Sequence, residues 1–370
     1  MPLNRLRAMR AIETCRTADQ GGHVDECEHC GAKVISYNSC RNRHCTKCQF
    51  LKKEQWIEAR GKDLLPIPYF HVVFTIPDTL NPLVLRNQEV LYGILFKSVS
   101  ETLTQLSKNP KHLGADIGFF SILHTWGQNL MEHPHVHNVV TGGGLSRNGQ
   151  KWRSSKNDFF LPVKVMSKLF RGKFLDYLKK SYAQNELVYP GAVSHLASPG
   201  AFKALIDELY KKKWVVYCKP PFDGAKGVLE YLGRYTHRIA ISNHRIVKME
   251  DDKVSFRWRD YSDNNKSKIM TVDADEFIRR FLLHVLPDRF VKIRHYGLLG
   301  NRCRKKKLDL CRKLLACVDQ SKAEQKTETW QEALLRFTGI DINKCPACGE
   351  GRMRSVEIIL PARCKGPPRT

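Results

Sequence analysis

The first fifty residues cannot build a hydrophobic core by themselves. They are dense in Cys, His, Gly and Asn and show little apolar periodicity, and a segment of that kind folds when a metal supplies the missing energy. Two Cys-x-x-Cys pairs, Cys27/Cys30 and Cys45/Cys48, lie there with fourteen residues between them, a spacing that suits one tetrahedral zinc ion in ribbon geometry. Cys15, His23, Cys40 and His44 surround these pairs and form a candidate second Cys2His2 site. The thirteen cysteines are odd in number and interleaved with histidines, a pattern of metal sites in a reducing compartment rather than of a secreted disulfide framework. Arg41, Arg43 and Lys47 stand among the ligands, where a metal-ordered knuckle would present them to phosphates; solvated surface charge is the alternative. Near the other end, Cys345-Pro346-Ala347-Cys348-Gly349 reads as half a ribbon, with Cys364 as a candidate partner.

Charge narrows the partner. Lys and Arg number 62 against 37 Asp and Glu, a net +25, which disfavours a metabolic enzyme for neutral substrates and favours a polyanion, nucleic acid before membrane. No run of 18 apolar residues occurs, so nothing is expected to span a membrane. The arginine-rich start lacks an apolar run of secretory length, and a cytoplasmic location follows as the expectation. A chain of 370 residues has room for two or three domains.

Periodicity predicts helices over about 50–62, 88–107, 162–182, 201–212 and 224–238, and strands at 69–76, 118–126, 136–141 and 214–217. Gly142-Gly143-Gly144 is expected to end the strand before it. Residues 239–246, 254–258 and 268–272 read as a β-meander whose middle strand alternates Val254, Phe256 and Trp258 with Ser255, Arg257 and Arg259. Asp273 and Glu276 resemble a capping box opening a helix over 274–286. Residues 289–313 hold ten Lys or Arg and one acid, Asp309. Strands and helices interleave without a regular βαβ rhythm, which reads as α+β with an antiparallel-rich sheet.

Two motifs carry chemistry. In His133-Pro134-His135-Val136-His137 a strand places residues i and i+2 on one face, about 7 Å apart, so His135 and His137 offer two imidazoles to one metal ion. Exposed strand histidines are the plain alternative. In Glu230-Tyr231-Leu232-Gly233-Arg234-Tyr235-Thr236-His237-Arg238, a helix puts Tyr231 and Tyr235 on one face, beside the basic Arg234 and Arg238. Aromatics four apart are usually core, yet Val228, Leu229 and Leu232 already supply an apolar side. A tyrosine phenol, about 0.1% ionised at neutral pH, needs an activated phosphodiester to attack. A divalent cation held by two histidines provides that activation, and two tyrosines allow two strands to be held at once.

These residues resemble a known family, the rolling-circle insertion-sequence transposases of the two-tyrosine HUH (His-hydrophobic-His) class, and within it the IS91 type. The resemblance runs through Ser39-Cys40-Arg41-Asn42-Arg43-His44-Cys45, the strand at 70–77, His124-Thr125-Trp126-Gly127-Gln128, HPHVHNVVTGGGL, Lys219-Pro220-Pro221-Phe222, YLGRYTHR and Ile293-Arg294-His295-Tyr296-Gly297, covering most of 15–300. It implies a nuclease and strand transferase acting on single-stranded DNA at element ends, with a 5′-phosphotyrosine intermediate and a free 3′ hydroxyl. By the same resemblance His135 and His137 ligate Mg²⁺ or Mn²⁺, and Tyr231 and Tyr235 are the nucleophiles. The third ligand comes from a neighbouring element, with Gln128 and His124 favoured over His133 and His237. Histidine-rich sites suit Mn²⁺ better than Mg²⁺.

The expected architecture is therefore a zinc-binding, DNA-contacting domain at 1–62, an HUH nuclease domain with a central antiparallel sheet and tyrosine helix at 63–245, and a basic C-terminal region at 246–370. Arg41, Arg43, Arg234 and Arg238 are the candidate DNA contacts, zinc is structural, and a bacterial, nucleoid-associated location fits. Three alternatives stand beside this reading. A plasmid replication initiator or relaxase would share the HUH strand. A non-catalytic zinc-finger DNA-binding protein would leave both motifs idle. A zinc hydrolase would need Glu132 as its base.

Overall fold

The computed structural model describes residues 1–156, 160–219, 227–228, 233, 240–317 and 328–362. Two compact units emerge, one made of Met1–Glu58 with Lys322–Thr370, the other of Ala59–Ser321. This differs from three consecutive parts. The last stretch of chain belongs with the first, and the boundary expected at 245 falls inside the second unit.

The first unit contains helix α1 (Leu3–Glu13), strands β1 (Gly22–Cys27) and β2 (Lys33–Tyr37) and the start of helix α2 (Phe50–Gly61). At its other end lie helix α9 (Trp330–Thr338) and strand β12 (Met353–Ile359). Its sheet has the antiparallel order β12-β1-β2, with Cys27 opposite Met353. Few apolar side chains are buried there, as the composition predicts.

The second unit is built on β3 (Tyr69–Thr75), β4 (Ala115–Trp126), β5 (Glu132–Ser146), β6 (Trp152–Ser154), β7 (Val215–Lys219) and β11 (Ile293–Gly297). Their order is β11-β4-β5-β3-β7, all antiparallel, with β6 on β5. Helices α3 (Asn81–Arg86), α4 (Gln88–Lys108), α5 (Val163–Ala183) and α6 (Pro199–Lys211) accompany it. The strands alternate, so the sheet has two characters. Phe70, Val72, Phe74, Phe119, Leu123, Val136 and Val140 form one core with Leu95, Phe96 and Val99 of α4 and Phe170 and Phe174 of α5. Each such side chain contributes about 1.5–3 kcal/mol by leaving water. The opposite face carries the histidines.

Asn138 lies on the helix-packed face, fully buried. Its Nδ2 donates to the Val72 and Val136 carbonyls at 3.0 and 3.2 Å, and its Oδ1 accepts from the Ser121 hydroxyl at 2.5 Å. One side chain thus ties β3, β4 and β5 in register, and a one-residue slip would move every histidine to the wrong face. The triple glycine does not end β5, which continues to Ser146. A Cβ at Gly144 would overlap the Asp116 carbonyl, so the glycines admit close strand approach.

The meander is β8 (Ile246–Glu250), β9 (Lys253–Asp260) and β10 (Lys266–Asp273), followed by helix α7 (Ala274–Leu283), and α8 (Arg304–Leu314) lies in the basic stretch. Val254 and Phe256 are buried and Arg257 and Arg259 exposed, as the alternation predicts. The first strand starts at 246 and not 239, because Asp251 and Asp252, at φ 48° and 55°, form the turn and set the register Glu250 to Lys253. The capping box at Asp273 is absent. Glu276 turns instead to Arg279 and Arg280, while Thr329 and Glu332 form a reciprocal box on α9.

Candidate active site and thiol clusters

Cross-strand register builds the histidine site. In β5, His135 and His137 share a face; in β4, His124 stands directly opposite His135 and Ile122 opposite His137. The ligand nitrogens of His124, His135 and His137 all lie within 4.8 Å of one another, with 3.0 Å between the Nε2 atoms of His135 and His137. The structure therefore brings His124 to the pair. Gln128, the other favoured third ligand, donates its side-chain N–H to the Tyr261 hydroxyl at 3.2 Å. His133 is exposed, and its carbonyl meets His135 Nδ1 at 2.5 Å, which leaves His135 Nε2 facing the cluster.

A fourth imidazole, absent from the sequence motifs, joins these three. His71 of β3 is buried, stacks on His137 with ring centroids 5.2 Å apart, and its Nε2 lies 2.9 Å from His137 Nδ1. That contact fixes the His137 ring and aims its Nε2 at the cluster, as partners behind metal ligands do. Its signal was present in the alternation of Tyr69–Thr75, which puts His71 on the face of the histidine pair. Trp126 stacks on His124 at 4.5 Å, with the Lys292 ammonium 5.1 Å from the indole.

Burial pushes the rings toward neutrality. Desolvation, with the charge of Lys219, brings His71 to about 3; desolvation, with His133, brings His135 to about 3. Burial and then His124 hold His137 well below the usual imidazole range. Neutral imidazole is the form that coordinates a cation, so this donor set fits a divalent metal and, being all nitrogen, suits Mn²⁺ better than Mg²⁺.

The turn between β4 and β5 is held from outside. Arg245 donates to the Gln128 carbonyl, Arg280 to that of Asn129 at 3.1 Å, and His284 Nε2 lies 2.9 Å from that of Leu130. Leu130 adopts φ 64° with its side chain fully buried. His284 is itself buried and meets Thr125 Oγ1 at 3.1 Å.

Tyr231, Tyr235, Arg234, Arg238 and His237 lie outside the described residues, as does Cys364. Gly227, Val228 and Gly233 are helical.

The cysteines sort differently from the spacing. Cys15, Cys40, Cys45 and Cys48 form one group and Cys27, Cys30, Cys345 and Cys348 another. In the first, Cys15 to Cys48, Cys40 to Cys48 and Cys45 to Cys15 are 3.4, 3.6 and 3.6 Å between sulfurs, close to the edge of about 3.8 Å of a tetrahedron with Zn–S near 2.3 Å. Arg16 N–H donates to the Asn38 carbonyl at 3.1 Å, which sets the end of α1 beside the end of β2 and so brings Cys15 to Cys40. His23 lies in β1 with Nε2 3.1 Å from the Asp25 carboxylate, and His44 Nδ1 is 3.0 Å from Asn42 Oδ1. Neither joins a thiol group, so the Cys2His2 set is replaced by four thiols. Arg41 is exposed on this knuckle and Arg43 half-buried. Among the described residues no helix is long and apolar enough to cross a membrane.

Comparison with known proteins gives the family. A family model described as "Putative transposase" matches residues 118–307, and one described as "Transposase zinc-binding domain", of IS91 transposases, matches residues 1–76. The chain is 49% identical to "Putative transposase y4qJ" of Sinorhizobium fredii (strain NBRC 101917 / NGR234), over 98% of this chain and 91% of that protein. It is 28% identical to "Transposase for insertion sequence element IS801" of Pseudomonas savastanoi pv. phaseolicola, over 78% of this chain and 68% of that one. Among solved structures it is similar to the conjugative relaxase TrwC in complex with oriT DNA, metal-free, at 16% identity and TM-score 0.27, over 49% of this chain and 68% of that one. The zinc-binding match and the thiol groups support structural zinc. A transposase model spanning half the sequence and a relative half-identical along almost all of it place the chain in the IS91-type transposase family.

Proposed function

We propose that this transposase cleaves and rejoins single-stranded DNA at the ends of its element, with Tyr231 and Tyr235 as nucleophiles beside a divalent cation held by His124, His135 and His137. The observation that carries the reading is the convergence of three imidazoles, two from one strand and one from its neighbour, on a single point. When bound, Mg²⁺ or Mn²⁺ supplies Lewis-acid polarisation of the scissile phosphate. The chain's own residues do the rest. A phenol oxygen bonds to phosphorus, the bond from phosphorus to O3′ breaks, the phenolic proton passes to solvent, and a solvent proton completes the 3′ hydroxyl. The 5′-phosphotyrosine retains the bond energy for the reverse attack by a 3′ hydroxyl. Lys219, across from His71, and Lys292 add positive charge where the phosphodiester approaches.

The test is a labelled single-stranded oligonucleotide carrying an element end. Wild type forms a covalent adduct with Mn²⁺ or Mg²⁺, and Tyr231→Phe with Tyr235→Phe forms none while still binding the strand. Full cleavage by the double variant removes both tyrosines from the mechanism, and cleavage that survives EDTA removes the metal.

A further inference from the structure

We propose that the Cys-x-x-Cys pair near the far end of the chain, Cys345/Cys348, shares one zinc ion with Cys27/Cys30, so that the zinc-binding unit holds two tetrathiolate sites and is closed by the C-terminal segment. The zinc-binding match covers residues 1–76 and contains only half of these ligands.

The two pairs are the same local structure used twice. Both read Cys-x-x-Cys-Gly. Gly31 and Gly349 sit at φ 69° and 70°, in the left-handed region that glycine adopts without strain. Gly31 N–H donates to the Cys27 carbonyl and Gly349 N–H to the Cys345 carbonyl, each at 3.0 Å. The His29 and Ala347 amides point at the Cys27 and Cys345 sulfurs, each at 3.4 Å, the arrangement that stabilises a thiolate ligand. Cys45/Cys48 lacks the glycine, with Gln49 next and α2 following.

The pairs face each other at the right distance. Cys27 to Cys348 and Cys30 to Cys345 are both 3.8 Å between sulfurs, the edge of about 3.8 Å expected for tetrahedral zinc with Zn–S near 2.3 Å. Backbone pairing fixes the approach. Glu28 N–H donates to the Arg352 carbonyl at 3.0 Å and Cys345 N–H to the Gly351 carbonyl at 2.9 Å. A Cβ at Gly351 would overlap the Cys27 sulfur, so the chain passes the site where only glycine fits.

Burial cannot hold this segment. Val356 and Ile358 of β12 are 54% and 77% exposed, so the strand brings almost no apolar area to the unit. A ladder joining strands more than 300 residues apart in sequence, without a core beneath it, needs a further tie, and the four thiols provide it. Each group has two buried thiols, Cys27 and Cys345 here and Cys15 and Cys45 in the other, and of the eight Cys30 alone is exposed, which opens this group to a chelator. The shared site should therefore lose its metal first.

Metal analysis of the purified full-length protein tests this. With the histidine site filled by Mn²⁺ beforehand, wild type should carry two zinc ions per chain and Cys345→Ser with Cys348→Ser one. One ion in wild type, or two in the double variant, overturns the proposal; a site made of Cys27, Cys30, Cys45 and Cys48 would leave the count unchanged. Thiol alkylation of the wild type during chelation tests it without a variant. Cys345 and Cys348 should become reactive together with Cys27 and Cys30, before Cys15, Cys40, Cys45 and Cys48, while the exposed Cys303 reacts from the start. Cys345 and Cys348 reacting as fast as Cys303 in the zinc-loaded protein would sink the idea.

Discussion

The histidine cluster and the thiol clusters are both metal-ligand geometries, made in opposite ways. The imidazoles sit on three adjacent strands whose register is set by a large core and by Asn138, so their positions follow from the sheet. The thiols come from loops and strand ends in a unit with little buried apolar surface, so their positions follow from the metal. One scaffold makes its site; the other is made by its site.

The largest expected effect breaks the second half of that contrast. Cys40→Ser removes one thiolate from the first cluster, and structural zinc supplies about 10 kcal/mol or more of folding energy to such units. The unit of Met1–Glu58 and Lys322–Thr370 should lose one of its two zinc ions and its protease resistance, while the sheet of Ala59–Ser321 keeps its near-UV circular dichroism. Loss of both signals together would mean that the units do not differ in this way.

The next sharpens the first half. His137→Ala should reduce cleavage by about 10³-fold or more, the several kcal/mol of charge stabilisation a cation provides, with the sheet still folded at the assay temperature. His71→Ala should cost about 10–100-fold in metal affinity, as expected for a residue that orients a ligand, read by Mn²⁺ titration. His71→Asn should recover part of it. Asn138→Ala should cost about 1–3 kcal/mol of stability in denaturant unfolding by leaving Ser121 and two carbonyls without their partner. The smallest effect belongs to the knuckle. Arg41→Ala with Arg43→Ala should lower the salt dependence of DNA binding by about two phosphate contacts, with zinc content unchanged.

What was legible follows the range of the information. Period-two alternation is local, so Tyr69–Thr75 and the shared face of His135 and His137 could be read directly. The pairing of His124 with His135 depends on strand register, which sequence does not print, and so Gln128 stood beside it as an equal. The cysteine groups depend on β12 lying against β1 across most of the chain, and proximity in sequence pointed to the wrong partners. The usable signal was chemical, the glycine that follows Cys30 and Cys348 but not Cys48. Asp251-Asp252 hid a tight turn because Asp lacks the easy positive φ of Asn-Gly.

The grip on Gln128, Asn129 and Leu130 by Arg245, Arg280 and His284 sets a limit on modular exchange. All three donors lie downstream of the nuclease segment expected to end at 245, or at its last residue. A chimaera that joins this sheet to the following region of a distant relative keeps the turn between β4 and β5 held from outside only if the new sequence brings donors to the same three carbonyls. Exchange of sequence before β3 or after β11 would leave these donors with their carbonyls, whereas exchange between the histidine strands and the meander would part them.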